Sequence, residues 1–324
     1  MGPDDDSADP LVDFESRTLE IGSSHHGLRL DHALVGLVPE FSRSYIQQLI
    51  EAGAVTLDGV AWRKPSGRVK AGQRGSIELR PTLQSQAFKP EVMPLAIVFS
   101  DAHLMVINKP AGLVVHPAPG NWSGTLLNGL LAHDPTAAAL PRAGIVHRLD
   151  KDTSGLMVVA RTRVVMDALV QAIAARTVNR QYLALVQRPW VGPHSRDIEA
   201  SIGRDPRNRL RMAVVDLARG VGKTAKTTVR LVDSATAGAL VRCTLHTGRT
   251  HQIRVHMASI GCPLVADQLY GGAADAQLQR QALHACRLAF IHPATGAELE
   301  FHAQLPTDMR TAVSARSLRY NDAQ

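Results

Sequence analysis

Cysteine is scarce: 324 residues hold only Cys243, Cys262 and Cys286, with no CxxC pair among them. That usage speaks against a disulfide framework and for a reducing compartment, so the cytoplasm is expected. Long apolar runs are missing too. Nothing approaches the roughly eighteen apolar residues needed to cross a bilayer, and the chain starts with Gly, Pro and Asp rather than a basic-then-apolar leader. No membrane partner is expected. Acidic residues are sparse in the body of the chain. Of 29 Asp and Glu, seven fall in residues 1–20 beside a single Arg, leaving 35 basic residues against 22 acidic ones elsewhere. A basic body points to nucleic acid, because Lys and Arg gain affinity by releasing counterions from phosphates. The same charge is also compatible with solubility alone. What is present in quantity is apolar side chain, 45% of the residues, enough for two domains each with its own core.

Residues 1–26 are acidic and turn-rich, and disorder is expected there. Leu30, Ala33, Leu34 and Leu37 then recur at helical spacing before Pro39. Ser42 is placed to cap a second helix that buries Ile46, Leu49 and Ile50 and stops at Gly53. Val55 and Leu57 alternate with polar residues, Asp58-Gly59 makes a hairpin turn, and Val60 and Trp62 begin the return strand. Arg43, Arg63, Lys64, Arg68, Lys70 and Arg74 surround this unit. Two short helices and a hairpin with a basic face resemble the S4 RNA-binding domain, a small α/β module, over residues 27–80. The duller reading is an accessory domain with a solvated face. Residues 81–92 contain two prolines and no periodicity and read as a linker.

The remainder alternates short strands and helices with no repeat. Strands are expected at 97–99, 104–107, 113–115, 181–186 and 240–245, and a helix at 166–173. Another helix, capped by Thr250, should bury Ile253, Met257 and Ile260. This mix predicts an α+β fold with a mixed, largely antiparallel sheet over residues 93–316. At its centre, residues 143–161 place His147, Arg148, Asp150, Lys151 and Asp152 between the apolar pairs Ile145-Val146 and Leu156-Met157. A tight polar loop pinned at both ends presents one side chain rigidly, and Asp150 is the candidate nucleophile.

Other patterns compete. Asp150-Lys-Asp-Thr can be read as the DxDxT motif of haloacid-dehalogenase-type phosphatases, but His147 and Arg148 interrupt the apolar strand that motif needs. His251 and His256 suggest zinc only weakly, with Arg254 between them. Gly271-Gly272 reads as a turn.

Residues 147–156, His-Arg-Leu-Asp-Lys-Asp-Thr-Ser-Gly-Leu, resemble the HRLDxxTSGL signature of the RluA family of pseudouridine synthases. Four further stretches agree in order: Asn108-Lys109-Pro110-Ala111-Gly112 with His116-Pro117, Arg180-Gln181-Tyr182, the run from Thr247 to His256, and Leu283-His284-Ala285 with His292-Pro293. One departure lies in Gly261-Cys262-Pro263-Leu264-Val265-Ala266-Asp267, where the family favours His and Gly at the second and sixth places. The departure is expected to touch no catalytic group.

The resemblance implies the conversion of uridine to pseudouridine in ribosomal RNA by a monomer. The reaction needs no redox step and no energy input, so no cofactor and no metal is expected. Asp150 would act as nucleophile or base, with Arg254 holding it ionised. Tyr182 would stack on the flipped base and serve proton transfer. Arg148 would fill the space the uridine leaves. His147 is a further candidate for substrate binding. Leu283 would pack beneath the base, and Lys109 would either hold the catalytic loop or bind a phosphate. A non-catalytic RNA-binding or assembly factor is the alternative from a different class.

Overall fold

In the computed structural model, which describes residues 15–80, 87–118, 120–208, 210–218 and 220–321, Ser42 Oγ accepts the Tyr45 backbone N–H at 3.3 Å. It thereby caps the second helix of the first of two units, which part between Ala87 and Phe88. Unit one comprises β1 (Glu15–Glu20), α1 (Leu30–Leu37), α2 (Arg43–Glu51), β2 (Val55–Leu57), β3 (Val60–Trp62) and β4 (Arg74–Leu79). Its sheet runs β1-β4-β2-β3, antiparallel throughout. Asp58 and Gly59 both take positive φ, 52° and 76°, the backbone of a two-residue hairpin turn. Leu30, Leu34, Ile46, Leu49, Ile50, Val55 and Ile77 form the core.

Two expectations need correction here. Residues 15–20 belong to no disordered tail: they are β1, paired with all of β4 from Glu15↔Leu79 to Glu20↔Arg74. The alternation that would reveal a strand is hidden, because only Leu19 of its six residues is fully buried. Arg43 is not a free surface cation. Its Nη2 donates to Asp31 Oδ2 at 2.8 Å, beside Arg29 Nε at 3.0 Å on Oδ1 and Gln47 Nε2 at 2.6 Å. Asp31 is wholly buried. Burial alone would raise its pKa, but the three donors outweigh it and hold the carboxyl well below the usual range.

Unit two holds β5 (Ile97–Ser100), β6 (Leu104–Lys109), α3 (Leu126–His133), β7 (Ser154–Ala160), α4 (Arg163–Ala174), β8 (Asn179–Val186) and β9 (Ser195–Glu199). Then come β10 (Ile202–Arg204), β11 (Met212–Val214), β12 (Gly222–Lys223), β13 (Lys226–Ala235), β14 (Gly238–Leu245), α5 (Gln252–Ser259), β15 (Leu283–Ile291), β16 (Glu298–His302) and α6 (Thr307–Ser314). The main sheet is ordered β5-β6-β7-β15-β8-β14-β13-β9, with β16 on β15. All its pairings are antiparallel except β7 with β15. The architecture is α+β with a mixed, largely antiparallel sheet. Residues of one parity, among them Met157, Val159, Tyr182, Ala184, Val241 and Cys243, pack beneath Leu127 and Leu130 of α3 and Ile253 and Met257 of α5. Those of the other parity meet α4 through Val165 and Leu169, and α6 through Met309 and Val313. All seven residues of β7 are buried, as a strand covered on both faces must be.

Residues 113–115 are not a strand. The carbonyls of Val114 and Val115 instead accept the first amides of α3, from Leu126 and Leu127. That helix lay outside the expected elements, although Thr125 and Asn128 cap its first turn reciprocally. The linker expected at 81–92 is shorter at its far end. Residues 81–86 lie outside the described residues, while the Lys89 carbonyl accepts Asn128 Nδ2 and the Glu91 N–H donates to the Asn128 carbonyl. Leu318 and Tyr320 pack with the α6 cluster, carrying the unit past residue 316.

Candidate active site

The loop before β7 is clasped from three sides. Lys109, 1% exposed at the end of β6, spends all three Nζ protons on carbonyls: Pro110 at 2.8 Å, Leu113 at 2.8 Å and Lys151 at 2.9 Å. The arrangement suits Lys109 to holding the loop, because all three of its Nζ protons face carbonyls. Burial lowers its pKa to about 8, against the pull of Asp152 and Asp150. Arg280 grips Asp308 with Nε and Nη2 at 2.7 and 3.0 Å and sends Nη1 to the Asp152 carbonyl at 3.0 Å. Ser154 Oγ meets His284 Nδ1 at 2.9 Å where β7 joins β15. Gly155 is required at that junction: its φ is +116°, and a Cβ there would lie 2.2 Å from the Ala285 carbonyl oxygen.

The clasped loop carries Asp150, whose side chain is 15% exposed. Its Oδ2 accepts Arg254 Nη1 at 3.1 Å, and its Oδ1 faces His251 Nε2 at 4.0 Å. Arg254 is held harder from behind. Asp267 takes its Nε at 2.7 Å and its Nη2 at 2.9 Å, and the Tyr270 ring lies 4.9 Å from the guanidinium carbon. Burial opposes the charge on Arg254, but Asp267 and then Asp150 outweigh it and raise its pKa. The segment that carries the two departures thus ends on the residue that grips Arg254, although the contact is made by Asp267 and by neither Cys262 nor Ala266. Asp267 also follows Ala266 at φ +58°, a left-handed position where the family favours Gly. Gly272 lets the turn close, since a Cβ there would meet the Leu264 carbonyl oxygen at 2.0 Å.

Arg254 is aimed by α5, and α5 is anchored by its opposite side. Gln252 Nε2 donates to the Lys226 carbonyl and to Thr227 Oγ1, each at 2.9 Å. His256 meets Thr227 Oγ1 with Nδ1 and the Ala200 carbonyl with Nε2, both at 2.9 Å. His251 and His256 thus serve opposite sides of the helix and do not converge as zinc ligands. Thr250 is not the cap. His251 occupies that position, at φ 55° and without a side-chain cap, because its ring is turned towards Asp150 and Tyr270.

Tyr182 and Leu283 lie in the same core cluster as Leu149, and each is about 95% buried. Burial, reinforced by Asp150 and opposed by Arg180, pushes the Tyr182 phenol up to about 12. Arg148 is exposed, with no hydrogen-bonding partner among the described residues. His147 is engaged elsewhere: its Nε2 accepts the Val158 N–H at 3.1 Å, leaving its buried Nδ1 without a partner. Burial lowers its pKa to about 3, so the ring is neutral. In unit one, Arg63, Lys64, Arg68, Lys70 and Arg74 are all exposed. Sequence reasoning missed Asp267, Tyr270, His251 and Arg280. His251 stands inside the matching run from Thr247 to His256 and Asp267 ends the segment from Gly261, which was the available signal for those two.

Residues 103–259 match the RNA pseudouridylate synthase family, and residues 28–74 match the S4 domain. Ribosomal large subunit pseudouridine synthase D of Neisseria meningitidis serogroup B is 46% identical over 303 residues, covering 90% of this chain and 79% of that protein. The protein of the same name from Nitrosomonas europaea is 46% identical over 330 residues, 97% of this chain and 91% of its own. Among solved structures, human RNA Pseudouridylate Synthase Domain Containing 1 is similar with a TM-score of 0.53 and 26% identity, over 67% of this chain and 85% of its own. With such identity spanning both units, and a single carboxylate so clasped and paired at the head of β7, the chain belongs to the RNA pseudouridylate synthase family and carries an S4 domain ahead of its catalytic unit.

Proposed function

We propose that the protein isomerises uridines to pseudouridine in large-subunit (23S) ribosomal RNA, with Asp150 as its nucleophile or base. The observation that carries this is a partly exposed carboxylate with one oxygen bound by Arg254 at 3.1 Å and the other without a hydrogen bond among the described residues. The reaction breaks the N-glycosidic bond, turns the uracil and joins its C5 to C1′ of the ribose, work for one ionised carboxylate. Arg254 donates to Asp150 Oδ2 and holds the carboxylate in place. Tyr182 retains its proton at neutral pH and stacks on the base while serving proton transfer at C5 or the ribose. Leu283 supports the base from below. Arg148, exposed and two residues from Asp150, occupies the gap left when the uridine leaves its stack. The names of the relatives support the substrate, and the basic S4 face supports RNA capture. That Asp150, Arg254, Tyr182 and Leu283 all come from one chain supports action as a monomer, and free cysteines with a ribosomal substrate support the cytoplasm.

Tritium release from C5-labelled uridine in large-subunit rRNA transcripts, in the presence of chelator, tests the reading. Wild-type protein should release label, and Asp150→Asn should bind RNA yet release none, since an amide is nearly isosteric but cannot act as nucleophile or base. Substantial turnover by Asp150→Asn would remove that residue from the role.

A further inference from the structure

Tyr270 connects two residues that face Asp150. Its ring lies under the Arg254 guanidinium, and its hydroxyl meets His251 Nδ1 at 2.7 Å. The same hydroxyl accepts the Met212 backbone N–H at 2.9 Å. A phenol has one proton, and burial raises the Tyr270 pKa, so that proton is present at neutral pH. With the oxygen already accepting from Met212, the hydroxyl proton has His251 Nδ1 as its acceptor within reach among the described residues. A bare Nδ1 accepts that proton, and this tautomer places the ring proton on Nε2. Nε2 is the atom 4.0 Å from Asp150 Oδ1. The imidazole stays neutral: burial lowers its pKa, and Arg254 lowers it further against the pull of Asp150.

The two oxygens of Asp150 are therefore not equivalent. Oδ2 is occupied by Arg254, whereas Oδ1 looks past an N–H that does not yet bond to it. Hydrogen bonds at catalytic groups are often long before substrate binds and tighten in the complex. His251 holds a left-handed backbone at φ 55° to reach this place, a strained conformation of the kind found where geometry serves chemistry. We propose that His251 is a positioning residue for Asp150: Tyr270 fixes its Nε2–H tautomer, and the Nε2–H aims Oδ1 as the reacting oxygen.

The inference rests on the reading of Asp150 as the reacting carboxylate, so its test has one arm that needs no turnover. Long-range 1H–15N correlation on the intact protein at neutral pH should show a neutral His251 protonated at Nε2, and Tyr270→Phe should erase that preference while keeping the ring beneath Arg254. In the kinetic arm, His251→Leu should lower kcat by about tenfold to a hundredfold, the rate equivalent of one hydrogen bond to a charged group, with KM nearly unchanged. His251→Gln, whose amide N–H reaches the place of Nε2, should recover most of that loss. Leu and Gln bear the same left-handed backbone cost, so equal loss in both variants would mean a merely structural histidine and would overturn the proposal. A ring protonated at Nδ1, or an unaltered kcat in His251→Leu, would overturn it too. A wild-type protein without synthase activity but with the Nε2–H tautomer would instead refute the functional reading and leave the Tyr270–His251 contact standing.

Discussion

Arg254 carries one charge and faces two carboxylates, and its bonds are unequally shared. The sequence reading gave it Asp150 as main partner, but Asp267, at 2.7 and 2.9 Å, is the firmer one. Arg254→Ala would leave Asp267, 2% exposed, without its counter-charge, a loss of about 3–5 kcal/mol for a broken buried pair. Reduced stability in urea should therefore accompany a loss of turnover, while RNA affinity falls little. Arg254→Lys should recover part of the stability and less of the activity, because an ammonium cannot span both carboxylates in the fixed geometry of the guanidinium. If RNA affinity fell with turnover number and stability intact, Arg254 would be a phosphate contact instead. Lys109 supplies a prediction in pH. Its pKa is lowered from 10.5 to about 8, chiefly by burial, so between those values the unfolded chain binds the proton and the folded one does not. This group's contribution to stability thus increases as pH rises through that window. Its effect on turnover runs the other way, since a neutral amine has two protons for three carbonyls and loosens the loop beside Asp150. An alkaline limb in kcat near pH 8 should appear and be absent from Lys109→Met, whose plateau should lie lower. Tyr182, pushed up to about 12, contributes no such limb below pH 10.

At the scale of elements, the sequence revealed structure where the cause was local. Ser42 lies three residues from the amide it caps, and Asp58-Gly59 carries its turn within two residues. Apolar spacing likewise placed α1, α2 and most of α4, although α4 starts at Arg163 under a Thr162 cap, before the apolar pattern becomes regular. Elements whose cause is distant were hidden. Strand β1 exists because β4, more than fifty residues away, offers it an edge. Strands β9 to β12 have only two to five residues each, too few for a period of two to show in them. Asp150 was legible from its loop, but Asp267 reaches Arg254 from thirteen residues away across a turn built on Ala266 and Gly272. The Thr-Ser-Gly of the signature now has a physical reason: Gly155 lets two strands approach where a side chain would strike the Ala285 carbonyl. Gly155→Ala combines a clash with backbone in a strand buried on both faces and a φ unsuited to alanine. It should cost more than about 3 kcal/mol, the range reserved for core disruption. A melting temperature within two or three degrees of wild type would show that the β7–β15 junction can part without cost.

At the scale of the whole molecule, the residues proposed for chemistry and those proposed for RNA capture fall on separate stretches of chain. Asp150, Tyr182, Arg254, Asp267 and Lys109 all lie in residues 88–324, while Arg63, Lys64, Arg68, Lys70 and Arg74 lie before the break at Ala87. Each unit has its own hydrophobic cluster, and Lys89 and Glu91 are tied to α3. Deleting residues 1–87 should therefore leave a folded catalytic unit with its loop still clasped. Affinity for structured rRNA should fall, because five exposed cations leave with the deletion. Arg43 counts for less than the sequence suggested, since two of its donors are committed to Asp31. Each lost phosphate contact should flatten the dependence of log affinity on log salt by about 0.7–0.9 units. Binding of this kind is shared by ground and transition states, so its removal raises KM and leaves the turnover number within about tenfold. The measurement is rRNA binding across a salt series together with saturation kinetics, for intact and truncated protein side by side. An unchanged affinity and salt slope would show that the S4 unit does not hold the RNA. A collapsed turnover number at saturating RNA would show that the catalytic loop depends on residues before the break.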